Sequence, residues 1–141
     1  MDKNIATAKT LSTGFYLKQE YHEAAKEKIF TKTWQFIGDT DQVKENGWAT
    51  PVNLLDRYIN EPLVLCRDKS GTLRCMSNVC THRGNLLVEK PCKANDLRCK
   101  YHGRRFSLDG KFLSMPEFKG VENFPTKEDD LCRVPLYEWN K

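Results

Sequence analysis

The sequence lacks any long apolar run. Its 141 residues contain no segment near the roughly 18 consecutive apolar residues that a membrane-spanning helix needs. The first residues, Met1 to Lys9, are polar and do not contain the apolar stretch of a secretory signal peptide. Internal repeats, phosphate-binding glycine loops and low-complexity tracts are also missing. We therefore expect a cytoplasmic globular protein with one modest domain.

Histidine is scarce, with three residues in the chain, and two of them lie in a pair of similar motifs. The motifs are Cys80-Thr-His-Arg-Gly84 and Cys99-Lys-Tyr-His-Gly103. In a Rieske-type [2Fe–2S] cluster, two cysteines bind one iron and two histidines bind the other. The spacing therefore predicts that each motif supplies one ligand to each iron: Cys80 and Cys99 to one, His82 and His102 to the other. Such a site transfers electrons.

Two other interpretations of these four residues stay open. Two cysteines and two histidines can also bind zinc, which would make the chain a zinc-stabilised binding module without redox activity. Structural zinc sites usually contain pairs of like ligands, whereas each motif here pairs a cysteine with a histidine. The remaining interpretation is that the four residues share no role.

The residue patterns around the motifs predict a mostly antiparallel β domain. The composition favours a helix over about residues 20–32 and shows no firm pattern before it. Strands are predicted at residues 34–37, 48–55, 62–67, 72–77, 97–99, 105–108 and 131–139. The clearest hairpin is the one that turns at residues 68–71. We expect an N-terminal arm and helix over residues 1–45, a domain over 46–141, and a cluster-binding subdomain within it at about 78–113.

Four further cysteines lie outside the motifs: Cys66, Cys75, Cys92 and Cys132. Cys66 and Cys75 flank the predicted hairpin turn and could face each other across it. Because no secretion signal is present, we interpret all four as reduced thiols that pack as small hydrophobic groups.

Several segments resemble one known family. Besides the two motifs, residues 30–38 (Phe-Thr-Lys-Thr-Trp-Gln-Phe-Ile-Gly) and 106–110 (Phe-Ser-Leu-Asp-Gly) are similar to the large (alpha) subunits of aromatic-ring-hydroxylating dioxygenases, the Rieske non-haem iron oxygenases. The resemblance covers most of residues 20–140. It departs at Arg104, where the family commonly has tryptophan. It implies an all-β fold, namely a Rieske-type antiparallel β sandwich with a small inserted cluster-binding subdomain and an N-terminal helical extension.

The resemblance also implies a role and partners. In the family, the cluster receives electrons from a ferredoxin or an NAD(P)H reductase and passes them to a mononuclear iron in the oxygenase catalytic domain. That iron needs two histidines and a carboxylate, and His22 is the one histidine outside the motifs. The chain therefore holds no complete catalytic site. Two interpretations stay open: a large-subunit Rieske domain lacking its catalytic domain, and a free-standing Rieske ferredoxin.

A low reduction potential is expected from the second motif. In high-potential respiratory Rieske proteins, a serine and a tyrosine after the second His-Gly pair donate hydrogen bonds to the cluster sulfurs. The corresponding residues here are Arg104 and Phe106, and Asn85 and Tyr101 occupy the positions of those proteins' inter-loop disulfide. Fewer hydrogen bonds to the sulfurs stabilise the reduced state less.

Positive charge is concentrated around the motifs. The net charge is only +4, which does not by itself imply nucleic acid. Eight basic residues lie between residues 80 and 111, here called the basic rim: Arg83, Lys90, Lys93, Arg98, Lys100, Arg104, Arg105 and Lys111. The rim is either an ordinary solvated surface or a docking site for an acidic electron donor. Arg83, Lys100 and Arg104 are the candidates for contacting a partner or supporting the cluster ligands.

Overall fold

The computed structural model describes residues 3–139 of the chain. The chain divides into two compact units, one ending at Phe36 and the other beginning at Ile37. The domain boundary after residue 45 stays a prediction. Within residues 3–139, no helix is long and apolar enough to cross a membrane.

The first unit is helical. It contains α1 (Thr13–Leu17), α2 (Gln19–Lys28) and a 3₁₀ turn at Phe30–Lys32. The sequence predicted one continuous helix to residue 32, but α2 ends at Lys28 and the chain then tightens into the 3₁₀ turn. Helix α1 lies in the segment for which no element was predicted.

The strand predicted at residues 34–37 is wrong, since the structure has no strand there. Trp34 and Phe36 are largely exposed, at 72% and 89%. The Gln35 side chain donates to the Phe30 carbonyl at 3.2 Å, which ties this segment to the preceding 3₁₀ turn. The apolar alternation that indicated a strand therefore has no partner strand in this unit.

The second unit contains eight strands and two further 3₁₀ turns. The strands are β1 (Trp48–Leu54), β2 (Glu61–Arg67), β3 (Leu73–Ser77), β4 (Cys92–Lys93), β5 (Leu97–Arg98), β6 (Arg105–Phe106), β7 (Phe112–Ser114) and β8 (Arg133–Val134), and the turns are Thr40–Val43 and Lys127–Asp129. Strand β8 is shorter than the predicted 131–139, while β4 and β7 were not predicted.

The strands form two antiparallel sheets. One has five strands in the order β4-β1-β2-β3-β8, and the other has three in the order β5-β6-β7. The predicted hairpin is confirmed as β2 and β3, with Leu65 opposite Cys75. Pro51, which cannot donate a hydrogen bond to a neighbouring strand, lies beyond the two β1 residues that pair with β4. The predicted fold class, mostly antiparallel β with few helices, is confirmed.

Strand β2 separates two apolar layers, because successive side chains point to opposite faces. Leu63 and Leu65 belong to one layer, and Val64 and Cys66 belong to the other. The layer that contains Cys66, called the inner layer below, also contains Ala49, Met76, Cys80, Leu87, Val88, Leu97, Cys99, Phe106, Leu108 and Leu131. The cysteines of both motifs are therefore part of the hydrophobic core.

All six cysteines have free thiols. The prediction that Cys66 and Cys75 face each other is wrong, because Cys66 pairs with Arg74 and the two thiols belong to different layers. Burial raises the pKa of Cys66 to about 12 and that of Cys75 to about 11. Both thiols therefore stay protonated at neutral pH and pack as hydrophobic groups.

Candidate metal centre

The two motifs fold into loops with the same backbone frame, loop 1 (residues 80–85) and loop 2 (residues 99–104). In each loop the cysteine carbonyl accepts the N–H of the glycine four residues later, at 3.0 Å in both cases. The N–H of each cysteine donates to the carbonyl five residues later, at 2.9 Å in loop 1 and 2.8 Å in loop 2. The two loops therefore present their cysteines in matching positions.

Glycine closes both loops because the backbone there is left-handed. The φ angle is +69° at Gly84 and +72° at Gly103, a region that L side chains enter at a cost of about 1–2 kcal/mol. Gly103 also lies close to another segment, since a Cβ at this position would be 3.1 Å from Cγ of Pro116. The sequence therefore needs glycine at both positions, and most at Gly103.

The histidines lie at different offsets in this shared frame. His82 is two residues after its cysteine and His102 is three residues after its own. Their rings nevertheless come together, with centroids 4.8 Å apart and an interplanar angle of 66°. Tyr101 packs on His102 with centroids 3.7 Å apart, and Phe118 meets His82 edge-on at 6.4 Å. Both imidazoles are partly exposed.

The thiols of Cys80 and Cys99 both belong to the inner layer, on the buried side of the two loops. Cys80 and Cys99 are each 2% exposed. Burial raises the pKa of Cys80, and the neighbouring Cys99 thiol raises this pKa further. The backbone N–H of His82 and the charge of Arg104 oppose this rise without cancelling it. Because the thiolate is the form that binds metal, a cation beside Cys80 would favour its deprotonation.

The His82 imidazole is neutral at physiological pH. Burial lowers the pKa of His82, and the nearby His102, Arg83 and Arg104 lower it further. Neutral imidazole is the form that binds a metal ion.

The four donors fit a two-iron cluster. The Nδ1 atom of His102 is buried and has no hydrogen-bond partner among residues 3–139, and such an atom is costly unless a ligand such as a metal ion satisfies it. Among residues 3–139, no three His, Cys, Asp or Glu side chains form a group that could hold one metal ion. The donors form a thiol pair and an imidazole pair instead, as a cluster with two protein ligands on each iron requires.

A family model described as the Rieske [2Fe-2S] domain matches residues 33–125 of the 141-residue chain. The chain belongs to the Rieske [2Fe–2S] domain family. The predicted family and its Rieske-type [2Fe–2S] cofactor are thereby confirmed.

Curated relatives of this Rieske domain are oxygenases. The carnitine monooxygenase oxygenase subunit of Escherichia coli (strain K12) is 33% identical over 138 residues, which cover 96% of this chain and 36% of that protein. The chloroplastic choline monooxygenase of Arabidopsis thaliana is 27% identical over 135 residues, which cover 96% of this chain and 31% of that protein. The chain thus spans about a third of the length of these relatives.

Solved oxygenase structures contain the same fold. The apo form of the quaternary ammonium Rieske monooxygenase CntA matches with a TM-score of 0.81 at 29% identity, over 92% of this chain and 37% of that one. Naphthalene 1,2-dioxygenase from Rhodococcus sp. matches with a TM-score of 0.69 at 28% identity, over 81% of this chain and 26% of that one. The Rieske domain is therefore homologous to part of the Rieske oxygenase large subunits.

In this Rieske domain, Asn78 forms hydrogen bonds that connect the segments on either side of loop 1. Its side chain is buried, donates from Nδ2 to the Val88 carbonyl at 2.7 Å, and accepts the Val88 N–H at Oδ1 at 2.9 Å. Its backbone carbonyl accepts the Leu87 N–H at 3.0 Å, and its N–H donates to Pro62 at 2.9 Å. One residue thus joins the start of β2, the end of β3 and the exit of loop 1.

Arg104 lies in the interior, not in the exposed basic rim where the sequence analysis placed it. Its side chain is 4% exposed and forms an ion pair with Asp129. The interpretation of Arg104 as a partner-facing residue is therefore wrong. The guanidinium can be buried because it packs against three phenylalanine rings and pairs with the Asp129 carboxylate.

The other seven rim residues are exposed: Arg83, Lys90, Lys93, Arg98, Lys100, Arg105 and Lys111. Three of them form ion pairs, Lys93 with Glu45 at 3.1 Å, Lys100 with Glu89 at 2.9 Å and Arg105 with Asp96 at 2.7 Å. For Arg83, Lys90, Arg98 and Lys111, no ion pair is found with any residue between 3 and 139. These four are the exposed charges that an acidic surface could meet.

Sequence reasoning missed three residues that support the site: Asn78, Phe118 and Asp129. Asn78 had a usable signal, because it is a polar residue between a buried strand and a ligand motif. Phe118 and Asp129 had none, since they are far from either loop in sequence and reach the loops only through the folded chain.

Proposed function

We propose that Cys80 and Cys99 bind one iron of the [2Fe–2S] cluster and that His82 and His102 bind the other. The observation that carries this proposal is the matching frame of the two loops, which pairs thiol with thiol and imidazole with imidazole. The buried, unpartnered Nδ1 of His102 supports it independently.

The proposed role is one-electron transfer. When bound, the cluster supplies a site that accepts one electron and releases it again. The protein keeps the two cysteines in the hydrophobic core and leaves both imidazoles partly exposed. An electron would therefore enter and leave on the histidine side, where Tyr101 and Phe118 cover part of each ring.

The proposed partners follow from the family. The donor would be a ferredoxin or an NAD(P)H reductase, and the acceptor would be the mononuclear iron of an oxygenase catalytic domain or subunit. One solved relative is described in terms of inter-subunit electron transfer. The relatives are named for three different compounds, carnitine, choline and naphthalene. We infer that the domain they have in common supplies electrons, a step that does not depend on the substrate. A cytoplasmic location is part of this proposal.

A free-standing Rieske ferredoxin is the second candidate. The similarity to oxygenase subunits over 96% of the chain, including its N-terminal helices, favours the large-subunit role. In either role we propose a low-potential centre, because Phe106 is fully buried and has no hydroxyl to donate to a cluster sulfur.

The test is electron paramagnetic resonance of anaerobically purified, dithionite-reduced protein, together with iron analysis. We expect a rhombic signal with the low average g value of mixed histidine and cysteine ligation. The variants Cys99→Ser and His102→Ala should lose that signal, while Cys132→Ser and His22→Ala, which change exposed residues outside the loops, should keep it. A colourless protein with stoichiometric zinc would overturn the proposal.

A further inference from the structure

Arg104 is a buried charge beside the proposed cluster site. Its guanidinium carbon lies 5.7, 4.9 and 5.6 Å from the ring centroids of Phe106, Phe112 and Phe124. Aromatic faces attract a cation, but removing a charge from water still costs several kcal/mol unless a partner compensates it. The partner is Asp129, whose carboxylate accepts a hydrogen bond from Nη2 of Arg104.

Asp129 connects both loops. Its carboxylate binds Arg104 at the end of loop 2, and its backbone carbonyl accepts the hydroxyl of Thr81 in loop 1 at 2.8 Å. The carboxylate also accepts the N–H of Thr126 at 2.7 Å, which fixes it at the start of a 3₁₀ turn. The ion pair is therefore held in place by backbone contacts and lies against both loops.

The positive charge of this pair is incompletely neutralised. Nε of Arg104 is buried and has no hydrogen-bond partner among the described residues. Arg104 lies two residues after His102, and its backbone carbonyl accepts the N–H of Cys99 at 2.8 Å. The guanidinium is therefore a buried charge beside the proposed ligands, and the Asp129 carboxylate, which also accepts the Thr126 N–H, neutralises it only in part.

We propose that Arg104 raises the reduction potential of the cluster and that Asp129 partly offsets this effect. The inference rests on the ligand assignment and the electron-transfer function proposed above. One electron from the reductant converts a diferric cluster, formally neutral with two thiolates and two neutral imidazoles, into a mixed-valence cluster with one negative charge. A buried positive charge nearby stabilises the reduced form. No bond changes and no proton moves in this step.

The experiment is a dye-mediated redox titration followed by electron paramagnetic resonance. A nearby charge changes a protonation equilibrium by about one to three powers of ten, and the same field acts on an electron. We therefore expect Arg104→Gln to make reduction about tenfold less favourable, a fall of about 59 mV for a one-electron couple. Asp129→Asn should raise the midpoint potential instead, and Arg104→Lys, which keeps the charge, should stay closer to wild type than Arg104→Gln.

The neighbouring Arg105 provides a matched control. Arg105 forms a comparable ion pair with Asp96 at 2.7 Å, but its side chain is 46% exposed, so water and salt screen its charge. Arg105→Gln should change the midpoint potential much less than Arg104→Gln. Equal shifts in the two variants would overturn the proposal.

Opposite shifts distinguish an electrostatic role from a structural one. Both Arg104→Gln and Asp129→Asn break the same ion pair, so loss of loop structure alone would move both potentials in the same direction. Such a result, or two unchanged potentials, would overturn the inference. If Arg104→Gln does not retain a cluster, the midpoint potential of Asp129→Asn becomes the test. A raised potential in that variant supports the proposal, and an unchanged or lowered one overturns it. Failure of the proposed function would show differently, as wild-type protein without a rhombic signal.

Discussion

Replacing Asn78 should loosen loop 1 without touching a proposed ligand. In Asn78→Ala, both side-chain hydrogen bonds to Val88 are lost, at 2.7 and 2.9 Å. Val88 is 5% exposed, so water cannot easily replace the lost partner. The backbone N–H and carbonyl of Val88 are left buried and unsatisfied.

The expected cost follows from these two groups. An unsatisfied buried donor or acceptor costs about 1–3 kcal/mol, so two of them cost roughly 2–6 kcal/mol. Domains are stable by only about 5–15 kcal/mol. Because 1 kcal/mol corresponds to about 4–8 °C in a domain of similar size, the midpoint of thermal unfolding should fall by at least about 8 °C. Iron per chain should fall too, since the base of a ligand loop opens.

Asn78→Asp tests the geometry more sharply. The carboxylate can still accept the Val88 N–H, but its second oxygen faces the Val88 carbonyl without a proton to donate. Burial and this repulsion raise the pKa of the new carboxyl above its unfolded value. The penalty is therefore full at neutral pH and shrinks as the pH falls through the folded value, where the protonated oxygen can donate to Val88.

The measurement is thermal unfolding with iron analysis at neutral and acid pH, with Asn53→Ala as the control. Asn53 is exposed and its side chain donates to Asp56 at 2.8 Å, so water replaces that bond and the cost should stay within about 0.5 kcal/mol. An Asn78→Ala variant that unfolds within about 2 °C of Asn53→Ala and retains full iron would refute the reasoning.

Two further predictions concern glycine and acid stability. Gly84→Ala and Gly103→Ala should each lose about 1–2 kcal/mol from left-handed backbone strain, and Gly103→Ala should lose more because its Cβ would be 3.1 Å from Pro116; equal unfolding midpoints would contradict this. Burial alone would raise the pKa of Asp68, but hydrogen bonds that include one from Arg74 outweigh it and lower this pKa. The stability from this carboxylate is full above its unfolded pKa and is lost as the pH falls through the folded value. Wild type should therefore lose more unfolding free energy than Asp68→Asn between about pH 5 and about pH 3, and identical acid profiles would contradict that.

The predictable parts of the protein are those specified by neighbouring residues. The hairpin of β2 and β3 needed only two apolar segments and a turn between them, and it was found with nearly correct ends. The two Cys-His motifs were recognisable for the same reason, because cysteine, histidine and glycine lie within five residues in each loop. The backbone of each loop is closed by hydrogen bonds between residues four or five positions apart, so its conformation depends little on the rest of the chain.

The remaining features depend on contacts that no local pattern contains. Residues 34–37 have strand composition, but a strand also needs a partner, and none of the described strands pairs with them. The sequence placed Arg104 in the basic rim and left open whether it contacts a partner or supports the cluster ligands. Its burial depends on Asp129, which lies 25 residues further along the chain.

Position separates two effects of positive charge around this centre. The exposed Arg83, Lys90, Arg98 and Lys111 are surrounded by water, so salt screens them, and in the proposed docking role they would influence the encounter with an acidic partner. Arg104 is shielded from water, so its field is felt with little screening by the groups beside it. Burial therefore determines whether a positive charge acts mainly on approaching molecules or on the groups packed against it. In the proposed function, an exposed charge would alter the rate at which a partner binds, whereas the buried Arg104 would alter the reduction potential of the cluster.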